Sequence, residues 1–206
     1  MKQELISFPF QVIFKPFSSF WDLKYDNKGS MKASYLLIAF TIIAFILQKQ
    51  YAGFLVNYTD PRAINSIMDI ITVVIPFVLW VVANWSITTL MDGEGKFTEI
   101  VKVTAYSLTP IVIVYIPMTF ISRYMAQEET AFYYLMLSIA SLWFVWLLFV
   151  GIMTIHQYTV MKTIVTMVLT IIVMGIIVFL GALVLSMLQQ IYDFIYNIYR
   201  ELLFRT

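Results

Sequence analysis

Five stretches of this sequence are long and apolar enough to cross a membrane, and this pattern constrains the fold more than any other feature. They run over residues 31–47, 67–91, 103–121, 132–155 and 163–188. A spanning helix needs about 20 mostly apolar residues, because the hydrocarbon is roughly 30 Å thick and each residue rises about 1.5 Å. Lipid cannot hydrogen-bond an open backbone, and the stretches are too continuously apolar for barrel strands. The sequence therefore predicts an all-α fold, a polytopic membrane helix bundle with five transmembrane helices.

The composition makes the lipid bilayer the first partner of the chain. Of the 206 residues, 61% are hydrophobic and only 12% are charged. A soluble protein carries roughly twice that charged fraction, about 25%. The net charge of +1 gives no sign of nucleic-acid binding. Because the chain has no cysteine, disulfides and thiol chemistry are excluded.

The chain reads as a single domain, 1–206, with amphipathic segments at both ends. The loops between the spans are short, and none is long enough to divide the chain. Segment 1–30 interleaves aromatic and polar side chains, and segment 189–206 sets an apolar stripe against a polar face. Both patterns suit helices lying among the lipid headgroups. For the C-terminal segment the alternative is a simple extension of the fifth span.

The distribution of basic residues predicts the orientation. Cytoplasmic flanks are enriched in Lys and Arg. Eight of the 13 basic residues fall on the side of the membrane where the N-terminus lies. The five on the other side are Lys49, Arg62, Arg123, Arg200 and Arg205. We therefore expect a multi-pass protein of the cell membrane with its N-terminus in the cytoplasm and its C-terminus outside.

Residues suited to catalysis or to metal binding are scarce. Asp69 lies at the outer end of the second span, where we expect its carboxylate to reach water and where the start of a helix favours a negative charge. His156 is the only histidine and has no acidic neighbour in the sequence, so we expect a structural role for it. No nucleophile, metal-ligand or phosphate-loop motif is present. We therefore expect no enzymatic activity, catalytic residues, cofactor or metal.

Three prolines within the spans are the most informative local feature. Pro76, Pro110 and Pro117 each remove a backbone donor and disturb the carbonyl four residues earlier. Pro110 and Pro117 are seven residues apart, which places them near one face of the third helix. Each proline is either a fixed kink that shapes the bundle or a hinge that gates it, and a fixed kink is the simpler interpretation.

The fifth span carries a stripe of small residues. Gly175, Ala182 and Ser186 fall within roughly 60° of one another at about 100° per residue. Small residues favour close helix approach in membranes. We therefore predict a close helix contact at this stripe, either within the fold or with a partner protein.

The residues Ala105-Tyr106-Ser107-Leu108-Thr109-Pro110 resemble a motif of the Yip domain family, multi-span membrane proteins that interact with Ypt/Rab GTPases in eukaryotes. The family has Gly-Tyr-x-x-x-Pro at the start of its third helix, and Ala105 replaces the glycine. The loop DGEGKF and the segment PFSSFW at 16–21 resemble bacterial members. The acidic-Leu-Tyr-Gly-Pro motif of the eukaryotic branch is absent, so no GTPase partner is implied.

The resemblance implies a non-enzymatic integral membrane protein, and some bacterial relatives accompany ABC transporters as accessory subunits. We therefore expect an accessory or scaffold protein that packs against a larger membrane complex, such as the subunits of an ABC transporter. A small transporter or channel is the alternative, although charged residues within the spans are few. An intramembrane enzyme is disfavoured by the missing motifs.

Overall fold

A computed structural model describes residues 2–60 and 64–204, with side chains from Ser7 onward. The described residues are helical or in loops, without strands. The helices are α1 Lys2–Phe14, α2 Pro16–Tyr25, α3 Met31–Tyr51, α4 Ser66–Leu90, α5 Phe97–Ser107, α6 Thr109–Ile121, α7 Thr130–His156 and α8 Val160–Phe204, with a short 3-10 turn at Gln127–Glu129. Arg62 and Arg205, two of the basic residues counted for the orientation, lie outside the described residues, as do Met1 and Thr206.

The prediction of an all-α bundle with five spans is confirmed. Five helical segments are long and apolar enough to cross a membrane, namely α3, α4, the α5–α6 pair, Gln127–His156 and α8. The α3 span begins at Met31 as predicted and continues to Tyr51, while the third span begins at Phe97, earlier than expected. Polar side chains cap two of these helices: Ser30 accepts from the backbone of Lys32, and Asn65 accepts from Ile67.

The spans pack around a core that α5 and α7 share with the N-terminal helices. The α5 helix contacts α3, α4 and α7, while α8 packs mainly against α4. The largest fully buried side chains include Tyr106, Phe20, Ile100 and Leu147. Most large apolar residues on the outer faces are exposed in the isolated chain, which is the arrangement that a lipid solvent requires.

The N-terminal segment has two distinct faces. Four apolar residues of the segment are buried in the main core: Phe8, Val12, Phe20 and Leu23. Its other aromatic residues are about half exposed or more, among them Phe10, Phe14, Phe17 and Trp21. The segment therefore forms part of the bundle. Its position at the headgroups stays a prediction, and the exposed aromatic face agrees with it.

The C-terminal segment continues α8 without a break. This helix runs for 45 residues, Val160–Phe204, so it is about 67 Å long. That length is more than twice the hydrocarbon thickness of roughly 30 Å. The fifth span and the segment after 188 are thus one helix, as in the alternative given above, and its depth relative to the headgroups stays a prediction.

Candidate functional site

Tyr106 of the sequence motif connects the third span to the N-terminal helices. Its side chain is fully buried, and its hydroxyl accepts a 3.0 Å hydrogen bond from the backbone N–H of Ser30. The ring meets Phe8 edge to face, with centroids 5.1 Å apart. Gly29 has φ +84°, and a Cβ there would lie 3.2 Å from the Tyr106 ring. The tyrosine therefore fixes the tight loop between α2 and α3, and this loop requires glycine at position 29.

Pro110 lies where the third span divides into two helices. The α5 helix ends at Ser107 and α6 begins at Thr109, so the proline occupies the first turn of α6, where an N–H is dispensable. Pro110 has no N–H to donate to the carbonyl of Tyr106, four residues earlier. That carbonyl accepts a hydrogen bond from the Thr109 hydroxyl at 2.6 Å. Because Pro110 is also buried, the surroundings support a fixed kink.

The other two prolines have different environments. Pro117 lies inside α6 and is exposed, so it does not share the burial of Pro110 despite the seven-residue spacing. Pro76 lies inside α4, where it is exposed and lines a cavity between the spans. The three prolines therefore shape separate parts of the bundle.

His156 anchors the glycine-bearing loop between α4 and α5. Its Nδ1 accepts a hydrogen bond from the backbone N–H of Gly95 at 3.2 Å. A Cβ added at Gly93 or Gly95 would fall within 2.6 Å of the imidazole, so only glycine allows the loop to pass so closely. The structural role expected for His156 agrees with this geometry. Among the described residues, no three His, Asp or Glu side chains group together as metal ligands do.

Two further side chains hold this loop. The Tyr158 hydroxyl donates to the carbonyl of Met91 at 3.1 Å, and Lys24 of α2 pairs with Glu94 at 2.6 Å. Burial raises the pKa of Tyr158, and the nearby Asp92 carboxylate raises that pKa further. The phenol therefore stays protonated and able to donate. Four helix ends are thereby joined at one end of the bundle.

Asp69 and Lys49 form an ion pair at the opposite end of the bundle. Asp69 lies in the first turn of α4 as predicted, but it is only 4% exposed, and its Oδ1 accepts from the Lys49 ammonium of α3 at 2.5 Å. We expected this carboxylate to reach water, so its burial is a difference from the sequence interpretation. The signal missed in the sequence was Lys49, an opposite charge near the end of the preceding span. Antiparallel packing of α3 and α4 brings it beside Asp69.

The ion pair lies at a cavity of about 440 Å³ between the spans. The walls are mostly apolar, and polar groups enter from α3, α4 and α5. The Oδ2 atom of Asp69 and the Nε1 atom of Trp80 are buried without a hydrogen-bond partner among the described residues. Buried polar atoms are normally paired, so this cavity is the strongest candidate for a binding site.

The stripe of small residues on α8 contacts no other helix in the described chain. No atom lies within 4 Å of a Cβ built at Gly175, and Ala182 and Ser186 are exposed. The buried residues of α8 are three threonines nearer its start, of which Thr170 accepts from Asn84 of α4 at 3.1 Å. The fold therefore does not use the stripe, and contact with a partner protein stays a prediction.

Comparison with known proteins agrees with the motif. The family model described as the Yip1 domain matches residues 10–183, which include both the buried tyrosine and the divided third span. No curated protein and no solved structure matches the chain.

Proposed function

The chain belongs to the Yip1 domain family, and from this premise we propose that it is a non-enzymatic accessory protein of a larger membrane complex. It is a multi-pass protein with apolar helices that lie in the bilayer. The absence of catalytic motifs from the sequence supports a role in assembly.

The observation that carries this proposal is the long exposed part of α8. Beyond Thr170 no residue of this helix is buried, although the helix continues to Phe204. The faces of a membrane helix are divided between lipid and protein, and small residues favour protein. Gly175, Ala182 and Ser186 supply such a surface along the exposed part of α8.

The partner that we propose is a membrane subunit of an ABC transporter in the cell membrane. This choice follows from the family resemblance, since some bacterial relatives accompany such transporters. The chain supplies a helical surface without charged residues between Thr163 and Leu188, which suits a neighbouring transmembrane helix.

Purification of the tagged full-length chain from its native membranes in a mild detergent tests the accessory role. We expect a second membrane protein to be recovered in a fixed ratio to the chain. A lone monomer without such a companion would count decisively against the proposal.

A small transporter or channel is the second candidate, and the buried Asp69–Lys49 pair is the observation that favours it. Ionisable groups within membrane spans often mark transport paths. Flux measurements on the purified chain in liposomes distinguish the two functions. Uptake of ions or small solutes that is lost in the Asp69→Asn variant would establish transport by the chain alone, whereas liposomes without flux would exclude it.

A further inference from the structure

We propose that the cavity beside Asp69 binds one membrane phospholipid, with an acyl chain along α4 and a hydrogen-bond-donating headgroup at the carboxylate. This assignment is independent of the accessory role, because it concerns the interior of the bundle and not the surface of α8.

The shape of the cavity fits an acyl chain. Its α4 wall follows one face of the helix from Asp69 through Val73 and Phe77 to Trp80. The eleven helical steps from Asp69 to Trp80 correspond to about 16 Å, which is close to half of the roughly 30 Å hydrocarbon thickness. The cavity therefore has the length of a single leaflet. Its volume of about 440 Å³ lies in the roughly 300–1,000 Å³ range of ligand pockets.

The polarity of the cavity places the headgroup at one end. Asp69 Oδ2 is buried without a partner among the described residues. An ionised carboxylate can accept a hydrogen bond but cannot donate one. Oδ1 is already occupied by Lys49, whose side chain is 43% exposed and retains free donors for a phosphate. A headgroup with an ammonium or hydroxyl donor beside its phosphate would satisfy both residues.

The opening of the cavity points to the membrane as the source of the ligand. Val145 of α7 and Ile171 of α8 line the cavity, and each is more than half exposed. Both lie within the membrane-spanning helices. A molecule that enters between them comes from the lipid phase.

Native mass spectrometry of the full chain in mild detergent tests occupancy. We expect one phospholipid retained on the unaltered chain and on Val168→Trp, and loss of that lipid in Val145→Trp, because the larger side chain closes the opening. The control is well matched, since Val145 is 51% exposed and Val168 is 52% exposed, but only Val145 lines the cavity. Equal retention by the two variants overturns the proposal.

Exchange of the headgroup tests the role of Asp69. Phosphatidylethanolamine and phosphatidylcholine share a phosphate, but only the former donates from its ammonium. We expect the delipidated chain to bind phosphatidylethanolamine about tenfold more tightly, since a hydrogen bond to a charged group is lost with the other lipid. The preference should disappear in Asp69→Asn. An unaltered chain that binds both lipids equally overturns the headgroup assignment, whether or not the variant folds.

Discussion

A single hydroxyl group joins three parts of the chain. Tyr106 Oη accepts from the backbone of Ser30, and its ring packs against Phe8, so α5, the start of α3 and the N-terminal helices share one buried residue. Phenylalanine could fill the same space but could not accept the hydrogen bond. This difference explains why the motif calls for tyrosine at this position.

The Tyr106→Phe variant isolates the contribution of that hydrogen bond. We expect a loss of about 1–3 kcal/mol in the free energy of unfolding, because the Ser30 N–H is left without its partner. Thermal unfolding in detergent measures the effect as a lowered Tm. Tyr124→Phe is the control, since that side chain is 89% exposed. Equal Tm values for the two variants would contradict the anchoring role of Tyr106.

At the scale of the helices, the third span differs from its neighbours because it is divided. The break at Leu108 lies in the buried centre of the molecule, between α5 and α6. Thr109 repairs the carbonyl that Pro110 leaves without a donor. The two halves of the span can therefore point in different directions without leaving the Tyr106 carbonyl unpaired.

Replacement of Pro110 by alanine tests whether this break shapes the surface that the partner recognises. Alanine restores a backbone donor and favours a straighter helix, so we expect reduced recovery of the companion protein with unchanged membrane insertion. Pro117→Ala, in the exposed part of the same span, should have a smaller effect. Unchanged recovery from Pro110→Ala would make the proline a passive kink.

Hydropathy predicted the spans, because the length of an apolar helix is set by the bilayer. It did not predict which aromatic residues of the N-terminal segment enter the core, since Phe8 and Phe14 are equally apolar and only tertiary packing separates them. The Asp69–Lys49 and His156–Gly95 contacts join residues 20 and 61 positions apart. Such pairs depend on how neighbouring helices are aligned, which one sequence does not specify.

The whole molecule has a defined orientation in the membrane. We propose that the N-terminus and the loop at Lys96 face the cytoplasm and that α8 ends outside, in line with the basic residues of the flanks. A reporter active only in the cytoplasm should be silent when fused after Thr206. A membrane-impermeant reagent should not reach Lys96 in intact cells, and labelling of that lysine would reverse the orientation.

The α8 helix packs against the bundle over only part of its length. The α3, α4 and α7 helices contact α5, while α8 touches the bundle mainly through α4 and leaves its later turns exposed. A membrane protein with one partly attached helix is suited to dock against another protein. We therefore propose that the stripe on α8 is the interface with the companion protein.

Recovery of the companion protein by stripe variants tests whether the stripe is this interface. Gly175→Leu and Ala182→Leu should each abolish or strongly reduce the recovered companion, while Ile172→Leu on another face of α8 should leave the recovery unchanged. The Tm should be the same in all three variants, because the stripe contacts nothing in the described chain. Equal recovery of the companion from the three variants would contradict the account and show that the stripe faces lipid.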